Sequence, residues 1–152
     1  MWVLEQIRKD LERISPRCLD RLDRAETLPH EEAVKIAAYL WEGCFQSGND
    51  VWVTVCGGLL YKLPEAWLEA HVRELLDRVR IDWSDSFEFY TLCGTVYHLP
   101  GTLAQVLAFA EGKLPPDAAG EWRPDMEEMA GSRTHYEEIR RRFAALDKAG
   151  LL

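Results

Sequence analysis

Asp82, Asp85 and Glu88 fall three residues apart, a spacing that brings carboxylates to one side of a helical turn. Three such groups have three uses: holding a divalent cation, meeting a cationic partner, or capping a helix and offsetting its dipole. A divalent ion needs more oxygen ligands than these three supply unless water fills the rest. Capping and dipole compensation need no ligand at all. The sequence leaves the three uses open. Glu31-Glu32, Glu127-Glu128 and Glu137-Glu138 fall at or near expected helix starts, where capping explains them equally well. His98 follows Tyr97, but no nucleophile or orienting acid is spaced to serve it as a general base. His30, His71 and His135 are far apart and form neither His-x-x-x-His nor His-Glu-x-x-His, and His71 reads as a surface residue of an amphipathic helix. Cys56-Gly57-Gly58 lacks the lysine and the strand context of a phosphate-binding loop. The cysteines Cys18, Cys44, Cys56 and Cys93 lack zinc-knuckle or redox-pair spacing and sit in apolar stretches, the pattern of buried thiols in a reducing compartment. No catalytic, cofactor-binding or metal-ligating residue is assigned, and the chain reads as non-enzymatic.

The elements that carry these residues are helical in pattern. The 152-residue length suits one domain, and 47% apolar composition suits one core rather than a disordered chain. Val3, Leu4, Ile7, Leu11 and Ile14 recur at helical spacing before Ser15-Pro16 breaks the helix. A short helix through Cys18, Leu19 and Leu22 follows, then a connection over 25–29. Residues 30–45 carry Val34, Ala37, Ala38, Trp41 and Phe45 on one side. Residues 46–50 are turn chemistry ending in N-cap residues. Residues 51–63 are apolar nearly all round and rich in strand formers. Pro64 opens a helix over 65–80, and 86–99 repeat the character of 51–63. Pro100-Gly101 precedes another helix that Gly112 ends. Residues 113–125 read as a loop, and Thr134-His135-Tyr136-Glu137 has the form of a capping box opening a C-terminal helix over 134–149.

Comparing the chain with itself decides between strand and helix for 51–63. Shifted by 36 residues, Gly58-Leu59-Leu60-Tyr61-Lys62-Leu63-Pro64 lies on Gly94-Thr95-Val96-Tyr97-His98-Leu99-Pro100, and Asn49 falls on Asp85. Leu28-Pro29 supplies a third Leu-Pro mark, 35 residues before Leu63-Pro64. A period near 35, read as helix, turn, helix, Leu-Pro, belongs to a helical array. On this Gly-x-x-Tyr-x-Leu-Pro echo and its spacing, residues 28–112 resemble the HEAT and armadillo type of α-solenoid. The resemblance implies an all-α fold: one domain over 1–152, with antiparallel helix pairs in a right-handed superhelical stack. It also implies that the second helices, 51–63 and 86–99, line a concave binding side. A stripe of Trp52, Val55, Leu59 and Lys62 in one copy and Glu88, Thr91, Thr95 and His98 in the other changes polarity between copies, which marks it as the expected contact surface. Asp82 and Trp83, in the turn that leads into the second copy, would lie at its rim.

Charge gives the sign of the partner. The net charge is −8, and residues 132–152 hold five basic and three acidic residues, which leaves −10 on the first 131. An acidic body repels nucleic acid and anionic membranes and attracts basic protein surfaces. In this general character the chain resembles small acidic immunity proteins that neutralise basic bacterial toxins, which implies occlusion of a cationic cleft. Carboxylates of Asp50, Asp82, Asp85 and Glu88 would steer it, and Trp52 or Trp83 would anchor it. A self-associating scaffold is the alternative, and an enzyme whose residues converge only in space is a third. Met1-Trp2-Val3-Leu4-Glu5 lacks a basic region ahead of an apolar one, so a cytoplasmic location is expected.

Overall fold

A computed structural model describes residues 2–45, 48–96, 99–110, 113, 141, 144–145 and 148. The fold is all-α. Helix α1 spans Trp2–Ile14, a 3₁₀ segment spans Cys18–Thr27, and α2 spans His30–Phe45. They are followed by α3 (Asp50–Leu60), α4 (Glu65–Arg78), α5 (Ser86–Gly94) and α6 (Pro100–Ala110). The strand-forming run at 51–55 is therefore helical, because tertiary packing of the face that buries Val55, Cys56 and Leu59 overrides local β-propensity. The expected loop over 113–125 and helix over 134–149 lie outside the described residues, apart from Lys113 and isolated positions from 141 onward.

Helix α1 buries Ile7 and Leu11 completely. Past buried Ser15, Arg17 takes a left-handed backbone with φ 60°, a conformation that costs a non-glycine residue roughly 1–2 kcal/mol. Its N–H donates to Glu12 Oε2 at 2.9 Å, which offsets part of that strain. The 3₁₀ segment is kinked at Arg24 and buries Cys18, Leu22 and Ala25.

Helix α2 is the centre of the molecule. Its buried residues Ala33, Val34, Ile36, Ala37, Ala38, Leu40, Trp41, Gly43 and Cys44 cover more than one face, and the small ones admit neighbours closely. It packs on α1, the 3₁₀ segment, α3, α4 and α5. The seam with α3 is tightest at Gly43, where an added Cβ would meet Cys56 Sγ, with Cys56 Cβ and Trp52 Nε1 each 3.0 Å away.

The repeat marks act as local devices. Asn49 Oδ1 accepts from the N–H groups of Val51 (2.9 Å) and Trp52 (3.2 Å), capping α3. Its counterpart Asp85 accepts from Glu88 N–H at 3.2 Å, capping α5. The carbonyls of the two caps take the first helical bonds, from Val53 (3.0 Å) and Phe89 (3.2 Å). Leu28, Leu63 and Leu99 are all buried, and the prolines after them introduce α2, α4 and α6. These helices start at His30, Glu65 and Pro100, 35 residues apart each time. They pack in order, α2 on α4 and α4 on α6, forming one row.

The second helices depart from expectation in two ways. They are shorter, ending at Leu60 and Gly94, and close in tight i→i+3 bonds such as Lys62 to Leu59 (3.1 Å) and Val96 to Cys93 (3.0 Å). They also do not pack closely on each other, although both were expected to line one concave side. Among the described residues the principal neighbour of α5 is α2, whereas α3 packs on α2 and α1.

Candidate functional site

The acidic trio builds a turn. After α4, Ser84 donates both its N–H (3.0 Å) and its hydroxyl to Asp82 Oδ1, and Asp85 N–H reaches the Asp82 carbonyl at 3.0 Å. The Ser84 hydroxyl and N–H hold the Asp82 carboxyl below its ordinary pKa. Glu88 closes the loop in both directions: its N–H donates to Asp85 Oδ1, and its Oε1 accepts from Asp82 N–H at 3.2 Å. Asp85 thus caps α5, and Glu88 ties that cap back to the start of the turn at Asp82. Of the three uses left open by the spacing, capping is the one visible here. Among the described residues no group of three or more His, Cys, Asp or Glu side chains is arranged to hold a metal ion.

The same turn fixes an aromatic side chain. Trp83, half-buried between Asp82 and Ser84, has its ring centroid 6.0 Å from that of buried Phe89 and 5.7 Å from that of Phe109, tilted by 41° and 40°. Lys113, just past α6, lays its Nζ 4.8 Å from the Phe109 centroid and 5.9 Å from that of Trp83. Asp82, Ser84 and Asp85 remain exposed around the ring. Turn capping, aromatic packing and surface charge thus meet in one patch spanning the start of α5 and the end of α6. Phe109 and Lys113 were not legible as members of it, because about thirty residues separate them from Trp83 and only packing joins them.

The other expected contact residues divide. Asp50 is exposed at the start of α3, beside Val51, which is 54% exposed. Trp52 is half-buried, its ring 6.4 Å from Tyr39, whose hydroxyl donates to Asp10 Oδ2 of α1 at 2.6 Å. Burial and this bond to a carboxylate both raise the Tyr39 pKa. Val55 and Leu59 are buried, so the stripe they were to share with Trp52 is not a solvent flank of α3. The physical reason is that α3 packs on two helices, α2 and α1. Thr91 is half-buried on α5. Thr95 belongs to the interior network: its Oγ1 accepts from Trp41 Nε1 at 2.7 Å and donates to the Leu92 carbonyl at 2.7 Å. Thr95 is half-buried, with its hydroxyl engaged in these two internal bonds. His98 lies outside the described residues.

A second polar cluster crosses from α2 to α4. Arg78 grips Glu31 with both terminal nitrogens (2.7 and 2.8 Å), and His30 Nε2 lies 3.0 Å from both oxygens of Glu74. His71 stacks on Trp67 at 4.7 Å, with Nδ1 2.7 Å from the Trp67 carbonyl. The Arg78 hydrogen bonds lower the Glu31 pKa, and the Glu31 partner raises that of Arg78. These are exposed pairs that align the first helices of successive repeats, with little stabilisation each.

The four thiols are free and buried. Burial pushes Cys18 up to about 11 and Cys56 and Cys93 up to about 12, and raises Cys44 as well. No described helix is long and apolar enough to cross a membrane. Comparison of the chain with protein families, with curated proteins and with solved structures finds no match to any of them.

Proposed function

We propose that the chain is a non-enzymatic binding protein that captures a basic partner protein, and that it acts as an immunity protein occluding the cationic cleft of a toxin. The observation that carries this reading is Trp83. A large aromatic, held at a fixed angle by Phe89 and Phe109, stands half-buried among exposed Asp82 and Asp85 on a body of charge −10. Pre-ordered aromatics are efficient anchors because little rotamer entropy remains to be lost on binding, while surrounding carboxylates speed encounter with a cation. The first-helix row α2, α4, α6 supports a HEAT-like, right-handed stack of helix pairs as the scaffold. In this reading the contact surface is the 82–88 turn with Trp83, extended by Asp50 and Trp52 at the start of α3.

The test is growth rescue. The chain is co-expressed with candidate basic toxin domains taken from the genes adjoining its own, and complex formation is followed by gel filtration. The native chain restores growth and co-elutes with the toxin. Asp85→Asn with Glu88→Gln, which keeps hydrogen-bond acceptors at both cap positions, slows association at low salt and leaves thermal stability within about 0.5 kcal/mol. No rescue and no complex would end the immunity reading. A chain that self-associates when run alone would favour the scaffold alternative.

A further inference from the structure

We propose that the Trp83–Phe109 aromatic pair is a receptor for a basic side chain of the partner protein, and that Lys113 occupies it as an internal stand-in until that side chain arrives. The inference rests on the capture reading above and names its central contact. Both rings are tilted toward each other by 40° with centroids 5.7 Å apart, and Phe89 fixes Trp83 from the core side. The ammonium of Lys113 sits over both rings, nearer Phe109 at 4.8 Å than Trp83 at 5.9 Å. An ammonium within about 6 Å of a ring centroid is held by the negative face of the ring. The chain therefore already displays the chemistry that this surface accepts.

Two features make the occupant exchangeable. Lys113 is exposed, tethered by the bond from its N–H to the Ala110 carbonyl at 2.9 Å, so its side chain can swing out while the backbone stays. An incoming guanidinium also stacks on indole more favourably than an ammonium does, because it is planar and more weakly hydrated. Asp82, whose carboxyl Ser84 holds in its charged form, lies on the same turn and matches the sign of that guest. Removing Lys113 should open the receptor.

The test follows the Trp83 indole N–H by nitrogen-15 NMR while acetyl-Gly-Arg-Gly-amide is added, with acetyl-Gly-Gln-Gly-amide as the uncharged control. The arginine peptide shifts the Trp83 signal and the glutamine peptide does not. Lys113→Ala, an exposed change that leaves folding intact, tightens arginine-peptide binding about two- to fivefold, the competition that one exposed cation–π contact supplies. Read by isothermal titration calorimetry, which needs no indole signal, Trp83→Leu loses the binding, and Trp83→Phe, which keeps an aromatic ring beside Phe89, retains part of it. Unchanged or weaker binding in Lys113→Ala, or a Trp83 signal unmoved by the peptide, overturns the proposal. If that happens while toxin rescue persists, the receptor idea alone falls. Peptide binding as expected without any rescue or complex overturns the capture reading instead.

Discussion

Gly43→Ala tests the packing on which the fold depends. In an exposed helix this change stabilises by about 1 kcal/mol through backbone propensity. At Gly43 the new methyl points into the α2–α3 seam, against Cys56 Sγ, Cys56 Cβ at 3.0 Å and Trp52 Nε1 at 3.0 Å. Cys56 is fully buried and cannot turn away into solvent, so the two helices must part by several tenths of an ångström. Overpacking of this kind costs about 1–3 kcal/mol, which exceeds the propensity gain. The expected net loss is about 1–2 kcal/mol, or about 2–8 °C in Tm. Gly101→Ala is the control. Its methyl meets only the Glu69 carboxylate, the free end of an exposed side chain, so stability should stay within about 0.5 kcal/mol of the native chain. Thermal and urea unfolding followed by far-UV circular dichroism read both. Adding Cys56→Ala to Gly43→Ala removes the sulfur from the clash, and the pair should couple by at least about 0.5 kcal/mol. A Gly43→Ala chain as stable as the native one, or additive with Cys56→Ala, would refute the close seam.

Thr95→Val keeps shape but strips the acceptor from Trp41 Nε1, and leaving that buried N–H unpaired should cost about 1–3 kcal/mol in urea unfolding. The four thiols should resist an aromatic disulfide reagent at pH 8 in the native state and react fully in denaturant, because burial both hides them and holds Cys18, Cys56 and Cys93 at about 11 to 12. Glu31 has a folded pKa below its unfolded value, so its contribution is present above the ordinary carboxylate range and lost as pH falls through the folded value. The Tm gap between the native chain and Glu31→Gln should therefore narrow from pH 6 toward pH 3, and a constant gap would count against the Arg78 pairing.

Local devices were legible because local chemistry makes them. Asn49 and Asp85 cap helices through their own side chains, and Leu28, Leu63 and Leu99 are buried beside the prolines that start each first helix. The aligned spacing of those marks predicted helices where the side chains of 51–55 alone favoured a strand. The environment of each helix face was less legible, since it depends on which neighbour arrives from elsewhere in the chain. Val55 and Leu59 carry no sign in their own segment that α1 packs on α3. Phe109 and Lys113 likewise gave no local sign of meeting Trp83.

A change of polarity between the aligned copies does not by itself mark exposure, as Leu59 against Thr95 shows. Leu59 is buried and Thr95 half-buried, and they satisfy different neighbours. Leu59 fills apolar space, whereas Thr95 accepts the N–H of Trp41 and returns its own proton to the Leu92 carbonyl. A hydroxyl that makes both bonds can sit inside a core at little cost, so polarity there follows from what α2 presents. Divergence at this position of the aligned copies therefore reports an internal hydrogen bond rather than exposure. Exposure has to be read from the packing itself, as at the 82–88 turn, where Asp82, Ser84 and Asp85 are exposed while Trp83 packs against Phe89.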